Sequence, residues 1–271
     1  MDFKQQPRAM IGAVVGVVVL LAISAYWLMN RGEETPPEEV ATEAPPPPPP
    51  APPPAPEPEP EPPPFELPAL ADSDAVIREL LSTLSAHPNF ASWLIPDDLI
   101  RRFVVTVENV GNGNNPAQHV PFMRPSSRFA IDDSEPALRI APASYARYDG
   151  LAATITSLDV NGTVQLYRQL LPLLDEAYAE LGIPDSSFAS ALQRAVTHIL
   201  EVPIIEGRPI IEPRASFFYE YTDPNFQSLS AAQKQFLGMG PNNVRIVQGK
   251  LREIALTIGL SDLPAENVIL R

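Results

Sequence analysis

The residues with the greatest chemical potential gather near the C-terminal end of the chain. A hexapeptide, PIIEGR at 203–208, is followed directly by PIIEPR at 209–214, and four phenylalanine and tyrosine residues come soon after it. Proline excludes a helix here, and side chains alternate along an extended segment, so charges two residues apart are expected on one face. The candidate binding residues of this stretch are Glu206, Arg208, Glu212, Arg214, Tyr219, Asp223, Lys234 and Asn242.

Two functions fit these residues. Exposed charges beside aromatic side chains are typical of an edge that receives a partner, and prolines hold such an edge rigid. A pair of carboxylates drawn from Glu206, Glu212 and Asp223 would suit a hydrolase acting on cell-wall material, but such pairs depend on a three-dimensional distance. We expect a binding or scaffold module, with the hydrolase as the alternative.

Other catalytic chemistry finds little support in the sequence. Three histidines stand in separate segments, there is no cysteine, and neither a G-x-S-x-G nor an H-E-x-x-H motif occurs. His198 and Glu201 lie three residues apart on a predicted helix, but a zinc site would need two further ligands from elsewhere. We therefore expect no metal and no cofactor, while the sequence leaves open whether the protein is an enzyme.

These elements must be positioned by the rest of the chain, which begins with a candidate membrane anchor. Met10–Met29 is twenty residues without a charge, about the length that a helix needs to span a bilayer. Basic residues precede it within the N-terminal segment 1–9, so the positive-inside rule predicts a cytoplasmic N-terminus and an exported C-terminal domain. A cleaved signal peptide, with Ala22 and Ser24 as the small pair of the cleavage site, is the alternative. Gly12 and Gly16 form one small-xxx-small pair, which makes a dimer possible.

Residues 30–66 are expected to form a disordered linker. Between Glu33 and Pro64 the chain has 17 prolines, eight glutamates and no basic residue, too few apolar side chains to build a core. A polyproline conformation extends by about 3.1 Å per residue, so the segment could act as a spacer on the order of 100 Å long. An anchor followed by such a spacer resembles the front half of TonB-type energy transducers, which supports a location between two membranes.

Charge limits the partners of the exported domain. From Glu66 onward there are 16 lysines and arginines against 24 aspartates and glutamates, a net charge of −8, and the whole chain carries −14. Such a domain repels nucleic acid and anionic lipid surfaces. Apart from the membrane contact through Met10–Met29, we expect a protein or peptidoglycan-associated partner in the bacterial envelope, with the domain in the periplasm.

Regular spacing of apolar residues predicts a mainly α domain over residues 67–259, followed by a loosely held tail at 260–271. One helix is expected from Ser144 to Leu158, and the next is expected to begin at Asn161-Gly162. Further predicted helices cover 73–84, 99–110, 188–200, 230–237 and 241–258. The helix at 188–200 is expected to carry a single apolar stripe, which Arg194, His198 and Glu201 leave uninterrupted. Residues 128–131 and 138–140 alternate as two short strands of a small hairpin, and 203–214 form a short extended segment.

The motifs of this domain resemble a known family. Matching features include Tyr219, Asp223-Pro224, residues 233–235 and Gly238–Asn242, and the segments 101–107, 128–129 and 250–254 look similar too. They resemble a proteobacterial family of single-pass membrane proteins that is known only as a domain of unknown function. The resemblance spans about Leu67 to Ile258 and implies the same order of anchor, proline-rich linker and helical domain. It implies no activity and no catalytic residues.

Overall fold

The computed structural model describes residues 67–214 and 218–266, and the backbone of 269–270. Ten α-helices form most of this part of the chain, so the prediction of a mainly helical domain is confirmed. The helices are α1 Asp74–Ser82, α2 Pro88–Trp93, α3 Leu99–Gly111, α4 Pro142–Ala146, α5 Asp149–Thr156, α6 Val160–Ala179, α7 Phe188–Leu200, α8 Pro224–Gln227, α9 Ala231–Leu237 and α10 Pro241–Ile258.

The core forms where α3, α6 and α7 pack together, each contributing residues at helical spacing to one face. Val104 of α3 and Phe188 of α7 have no exposed surface, and neither does Ile77 of α1. Burying an aliphatic or aromatic side chain contributes about 1.5–3 kcal/mol, so this cluster supplies much of the stability of these packed helices. A second cluster joins α5 to α10 through Ala152, Val244 and their neighbours.

Six short strands form three two-stranded sheets in the described residues: β1 Ile131–Asp132, β2 Arg139–Ile140, β3 Ile204–Ile205, β4 Ile211–Arg214, β5 Phe218–Tyr221 and β6 Ile269–Leu270. Strands β1 and β2 pair antiparallel, which confirms the predicted hairpin, and β4 pairs antiparallel with β5. An antiparallel bridge joins Arg139 to Ile210, and the Ile211 amide donates to the Leu138 carbonyl at 2.9 Å. The two hairpins therefore lie side by side.

The prediction of one extended segment over 203–214 is wrong. Strand β3 pairs in parallel with β6, whereas β4 pairs with β5 after an irregular stretch at 206–209. The charged residues of the repeat consequently do not share one face. Gly207 interrupts the first copy of the repeat, and the two strands pair with different segments of the chain.

Several helix boundaries differ from the prediction. The helix expected over 144–158 is two helices, α4 and α5, separated at Arg147 and Tyr148. Helix α6 begins one residue after Asp159, whose carboxylate accepts the Gly162 amide at 2.5 Å, so Asp159 and not Asn161 is its cap.

The polar face of α7 contacts neighbouring helices. The Arg194 guanidinium donates to the Glu108 carboxylate at 2.9 Å, and His198 Nε2 lies 2.7 Å from Ser230 Oγ. Both contacts reach other helices, α3 and the start of α9. Their polar side chains therefore hold α7 in the bundle.

The C-terminal tail is more firmly held than predicted. Leu260 and Leu263 pack against Val196 and Leu200 of α7, and Gln193 Nε2 donates to the Ser261 carbonyl at 2.7 Å. The backbone of β6 continues this attachment through its pairing with β3. The few apolar residues of 260–271 are separated by polar ones and show no helical or strand periodicity. The sequence therefore did not indicate this packing.

The predicted anchor Met10–Met29 and the predicted linker 30–66 lie outside the described residues. Within the described part, no helix combines the length and apolar character needed to cross a membrane.

Candidate binding surface

The two hairpins bring together residues from both halves of the domain sequence, and a charged network holds them. Arg208 contacts the Asp132 carboxylate of β1, and its guanidinium also donates to Glu135 at 3.3 Å. Arg139 of β2 pairs with Glu135 and donates to the Arg208 backbone carbonyl. Arg208 therefore joins the repeat to the first hairpin, which is a structural role.

Asp132 is the best-satisfied carboxylate of this network. Its Oδ1 accepts bonds from the Ser134 hydroxyl at 2.6 Å and the Ser134 amide at 3.1 Å, while Oδ2 contacts Arg208. These hydrogen bonds, first from Ser134 and then from Arg208, favour the ionised form and lower the pKa of Asp132 to about 2. Asp132 thus stays charged across the physiological range.

The second hairpin has two faces of different character. Glu212 lies directly opposite Glu220, and Arg214 lies opposite Phe218, so these four side chains share the outer face. Arg214 contacts Glu220 while two-thirds of its own side chain remains exposed. The other face contains Ile211 and Tyr221, which lead into the domain interior, and Pro213 opposite Tyr219.

An exposed pair of aromatic rings lies where the two hairpins meet. Tyr219 and Phe129 have ring centroids 5.7 Å apart, and they remain 38 % and 43 % exposed. The Arg147 guanidinium lies 5.5 Å from the Phe129 ring and 5.3 Å from the Tyr148 ring. Cation–π contacts of this kind contribute about 0.5–1 kcal/mol and fix the position of both groups. We call Phe129, Tyr219 and Pro213 the aromatic patch.

Arg147 is itself held by the backbone. Its Nε donates to the Ser144 carbonyl at 2.9 Å, and its Nη1 donates to the Ser127 carbonyl at 3.3 Å. The Ser144 hydroxyl, fully buried, lies 2.7 Å from both the amide nitrogen and the carbonyl oxygen of Ala130. The segment that contains Phe129 is therefore tied to α4, and the patch is preorganised.

Three tyrosines lie close together next to Arg147, namely Tyr145, Tyr148 and Tyr221. Burial raises the pKa of Tyr145 to about 12, and burial next to Tyr145 and Tyr148 raises the pKa of Tyr221 as well. The Gln235 amide donates to the Tyr148 hydroxyl at 3.0 Å. The phenols of Tyr145 and Tyr221 are therefore neutral at physiological pH.

The remaining predicted site residues lie elsewhere or have structural roles. Glu206 pairs with Arg245 of α10 at 3.1 Å, and the Asp223 carboxylate caps α8 by accepting the Asn225 amide at 2.8 Å. Lys234 donates to the Gln227 carbonyl at 3.0 Å, and Asn242 is exposed. Of the eight predicted residues, only Tyr219 belongs to the aromatic patch.

Asn243, the neighbour of Asn242, has the more important contacts. It is buried, and its Nδ2 lies 2.9 Å from Asp149 Oδ1, 3.0 Å from the Met239 carbonyl and 3.2 Å from the Tyr145 carbonyl. Helical spacing places Asn243 on the same face as Val247, and that spacing was the signal by which the sequence could have distinguished the two asparagines.

Phe129 and Arg147 were missed as surface residues. Phe129 was assigned only to a strand and Arg147 only to a helix, because the contact between them joins segments 18 residues apart in sequence. The Arg128-Phe129 dipeptide at the start of the predicted hairpin was the one available signal. An aromatic residue at a strand end does not by itself indicate exposure, since most such residues are buried.

A metal centre and a groove are the two other kinds of site that the described part of the chain could offer. Over the residues that the structure describes, no group of three or more histidine, cysteine, aspartate or glutamate side chains could hold a metal ion. A groove of about 250 Å³ lies between α1 and α2, far along the chain from the repeat, and it is lined by Arg78, Ser82, Ser85, Phe90, Ala91, Leu94 and Ile95. None of the predicted site residues contributes to it.

Comparison with known proteins assigns the family. No curated protein and no solved structure matches the chain. A family described as "Protein of unknown function (DUF3014)" matches residues 99–255, from the start of α3 nearly to the end of α10, and this range contains both hairpins and the aromatic patch. The match confirms the resemblance to a family defined by a domain of unknown function, and the chain belongs to that family.

Proposed function

We propose that this protein is a binding or scaffold module of the bacterial cell envelope, anchored in the inner membrane by Met10–Met29 and exposed to the periplasm. The anchor, the positive residues before it and the acidic, proline-rich spacer support this location. The aromatic patch supports binding, because rigid, exposed aromatic rings beside an arginine are enriched where proteins recognise partners.

A single observation carries the binding assignment. The Phe129–Tyr219 pair stays exposed even though Arg147, Ser144 and the two hairpins hold it in place. Ordering exposed aromatic side chains gives little to folding, whereas a preorganised patch binds with a smaller entropy cost. The arrangement is therefore better suited to recognition than to stability.

The alternative of a carboxylate-pair hydrolase has less support. Glu206 is engaged by Arg245, and Asp223 accepts a backbone amide at the start of α8. Glu212 faces Glu220 on an exposed hairpin, and Arg214 contacts Glu220. These carboxylates lie on different elements and do not line the groove between α1 and α2.

Site-specific crosslinking tests the binding assignment. A photoreactive phenylalanine analogue is placed at Tyr219 of the full-length protein in cells, with the same analogue at Phe103 as control, since Phe103 is also about half exposed but lies on α3. Illumination should give a discrete adduct from position 219 and none from position 103. Equal adducts at both positions, or none at position 219, would contradict a partner at the patch.

Protease accessibility tests the location. Protease added to spheroplasts should remove the C-terminal domain, and the domain should remain in the membrane fraction before digestion. Protection of the domain, or its release as a soluble protein, would contradict the proposed topology.

A further inference from the structure

The surroundings of the aromatic patch indicate the chemistry of its partner, provided that the patch binds a partner as proposed. Three features bear on it: the exposed rings, the state of the sheet edges, and the arginines that have no carboxylate partner. Each restricts the class of ligand.

Exposed rings arranged with a proline favour a ligand with apolar, rigid side chains. Tyr219 lies opposite Pro213 in a position where the two side chains project to the same face, and Phe129 adjoins Tyr219. Proline rings pack well on aromatic faces, and proline-rich segments dock on aromatic-lined surfaces in many recognition domains. A segment in the polyproline conformation also loses little entropy on binding because it is already extended.

The sheet edges disfavour the other extended ligand, an added β-strand. The outward amide of Tyr221 on β5 already donates to Gln227 Oε1 at 3.1 Å. On the opposite side of this hairpin, β4 reaches Pro213, which has no amide hydrogen to donate. A polyproline ligand needs no ladder of backbone hydrogen bonds, so it is compatible with these blocked positions.

The arginines near the patch indicate the charge of the ligand. The arginines of the hairpins, Arg139, Arg208 and Arg214, each pair with a carboxylate. In contrast, Arg124, Arg128 and Arg147 form no ion pair with any carboxylate in the described part of the chain, and Arg124 and Arg128 are exposed. Arg128 adjoins Phe129 in sequence. At the patch, Arg128 and Arg147 therefore present positive charge that no ion pair among the described residues neutralises, in a domain that is otherwise acidic.

We propose that the aromatic patch binds an acidic, proline-rich peptide segment of a partner, with the prolines on Phe129 and Tyr219 and the carboxylates near Arg128. The rings supply contact area, and the arginines reject basic sequences of the same shape. Arg147 acts as a positioning residue that holds Phe129.

Peptide binding to the full-length protein in detergent micelles tests this inference. The probes are fluorescein-labelled (Glu-Pro)5, (Lys-Pro)5 and (Glu-Gly)5, which separate the requirement for charge from that for proline. Fluorescence anisotropy should show saturable binding of (Glu-Pro)5 that weakens with added salt, and at least roughly tenfold weaker binding of the other two peptides. Equal binding of (Glu-Gly)5 or (Lys-Pro)5, or no binding of (Glu-Pro)5 either to this chain or to the linker variant introduced below, would overturn the proposal.

Matched variants locate the interaction. Phe129→Ala, Tyr219→Ala and Arg128→Glu should each weaken (Glu-Pro)5 binding by roughly tenfold or more. Phe103→Ala and Arg168→Glu make the same chemical changes at exposed positions on α3 and α6, and they should leave it unchanged. Thermal melting of every variant shows that the fold persists. Equal losses in the control variants would also overturn the assignment.

Two further arms separate the possible failures. Residues 33–64 have an acidic, proline-rich composition themselves, so the titration is repeated with a full-length chain in which Glu57, Glu59 and Glu61 are changed to glutamine. If neither chain binds (Glu-Pro)5 although position 219 still gives a crosslinked adduct, the proposed function stands and this inference falls. If the adduct is also absent, both fall.

Discussion

Arginine–carboxylate pairs occur in two different environments in this domain. One is the bundle of α3, α6 and α7, which we call the helical half, and the other is the pair of hairpins, which we call the sheet half. In the helical half, Arg194 pairs with Glu108, whose side chain is only 11 % exposed and also accepts bonds from Tyr178 and Asn112. In the sheet half, Arg214 pairs with Glu220 while 67 % of the arginine side chain remains in water. Burial increases the loss of stability when one partner is removed. The Arg194–Glu108 pair is therefore structural, whereas the Arg214–Glu220 pair contributes little to stability.

The difference shows how the two halves divide their roles. Helices α3, α6 and α7 are joined by apolar packing and by buried polar groups that cannot be exposed without loss of stability. The two hairpins bury Ile140 and Ile211, and partly exposed ion pairs, hydrogen bonds and the Arg147 contacts hold the rest of them. A surface of that kind tolerates substitution, which suits a site whose side chains serve recognition.

The largest effect is expected from Glu108→Ala. The change removes the acceptor of Arg194, Tyr178 and Asn112 inside the bundle, so the free energy of unfolding should fall by about 3 kcal/mol. Urea denaturation measures it, with Glu108→Gln as a control that keeps the size of the side chain and part of its accepting capacity. A loss below about 0.5 kcal/mol would erase the contrast with the sheet half.

A smaller effect in the helical half comes from Asn243→Ala. Losing the buried amide leaves the carbonyls of Tyr145 and Met239 and the Asp149 carboxylate without this donor, so we expect a loss of about 2 kcal/mol. Asn242→Ala, at the exposed neighbouring position, should change the free energy of unfolding by less than about 0.5 kcal/mol. Denaturant titration of both variants decides the matter, and equal losses would contradict the contact pattern.

In the sheet half, Asp132 gives an acid-dependent effect. Its pKa is lowered from 3.8 to about 2 in the folded protein, so its contribution to stability is complete above about pH 4 and is lost as the pH falls toward 2. The difference in free energy of unfolding between the natural protein and Asp132→Asn should therefore shrink over this interval. Denaturation curves at pH 2 to 6 measure the difference, and a gap that stays constant down to pH 2 would contradict the role of Asp132.

The smallest effect is expected from Arg214→Ala. Because this arginine is mostly exposed, the loss should stay below about 0.5 kcal/mol, whereas Arg208→Ala should cost about 1 kcal/mol through its contacts with Asp132 and Glu135. Thermal melting of the two variants compares them directly. A larger loss for Arg214→Ala would mean that the outer face of the second hairpin is structural.

Local signals in the sequence predicted most of the helical half. Apolar residues recur at helical spacing from Leu99 to Val110 and from Phe188 to Leu200, and α3 and α7 follow these segments closely. The Ser230–Gln233 capping box and the Pro241 start of α10 were also readable, because caps and proline act within one turn. The hairpin of β1 and β2 followed from alternation and a turn.

The candidate site was predictable only in outline. The chain segment that contains Tyr219 was identified from composition, but seven of the eight proposed residues lie outside the aromatic patch. A strand shows which residues alternate and not which face becomes buried, since that depends on the pairing of distant segments.

The amino-acid sequence by itself determined the helices, their caps, the first hairpin and the membership of the chain in its family, because these depend on residues close together or on a pattern spread along the chain. Only the tertiary structure decided that Arg208 joins Asp132 and that Phe129 meets Tyr219. Those contacts join segments up to 90 residues apart. No local propensity encodes them, since they arise when hydrophobic packing brings the segments together.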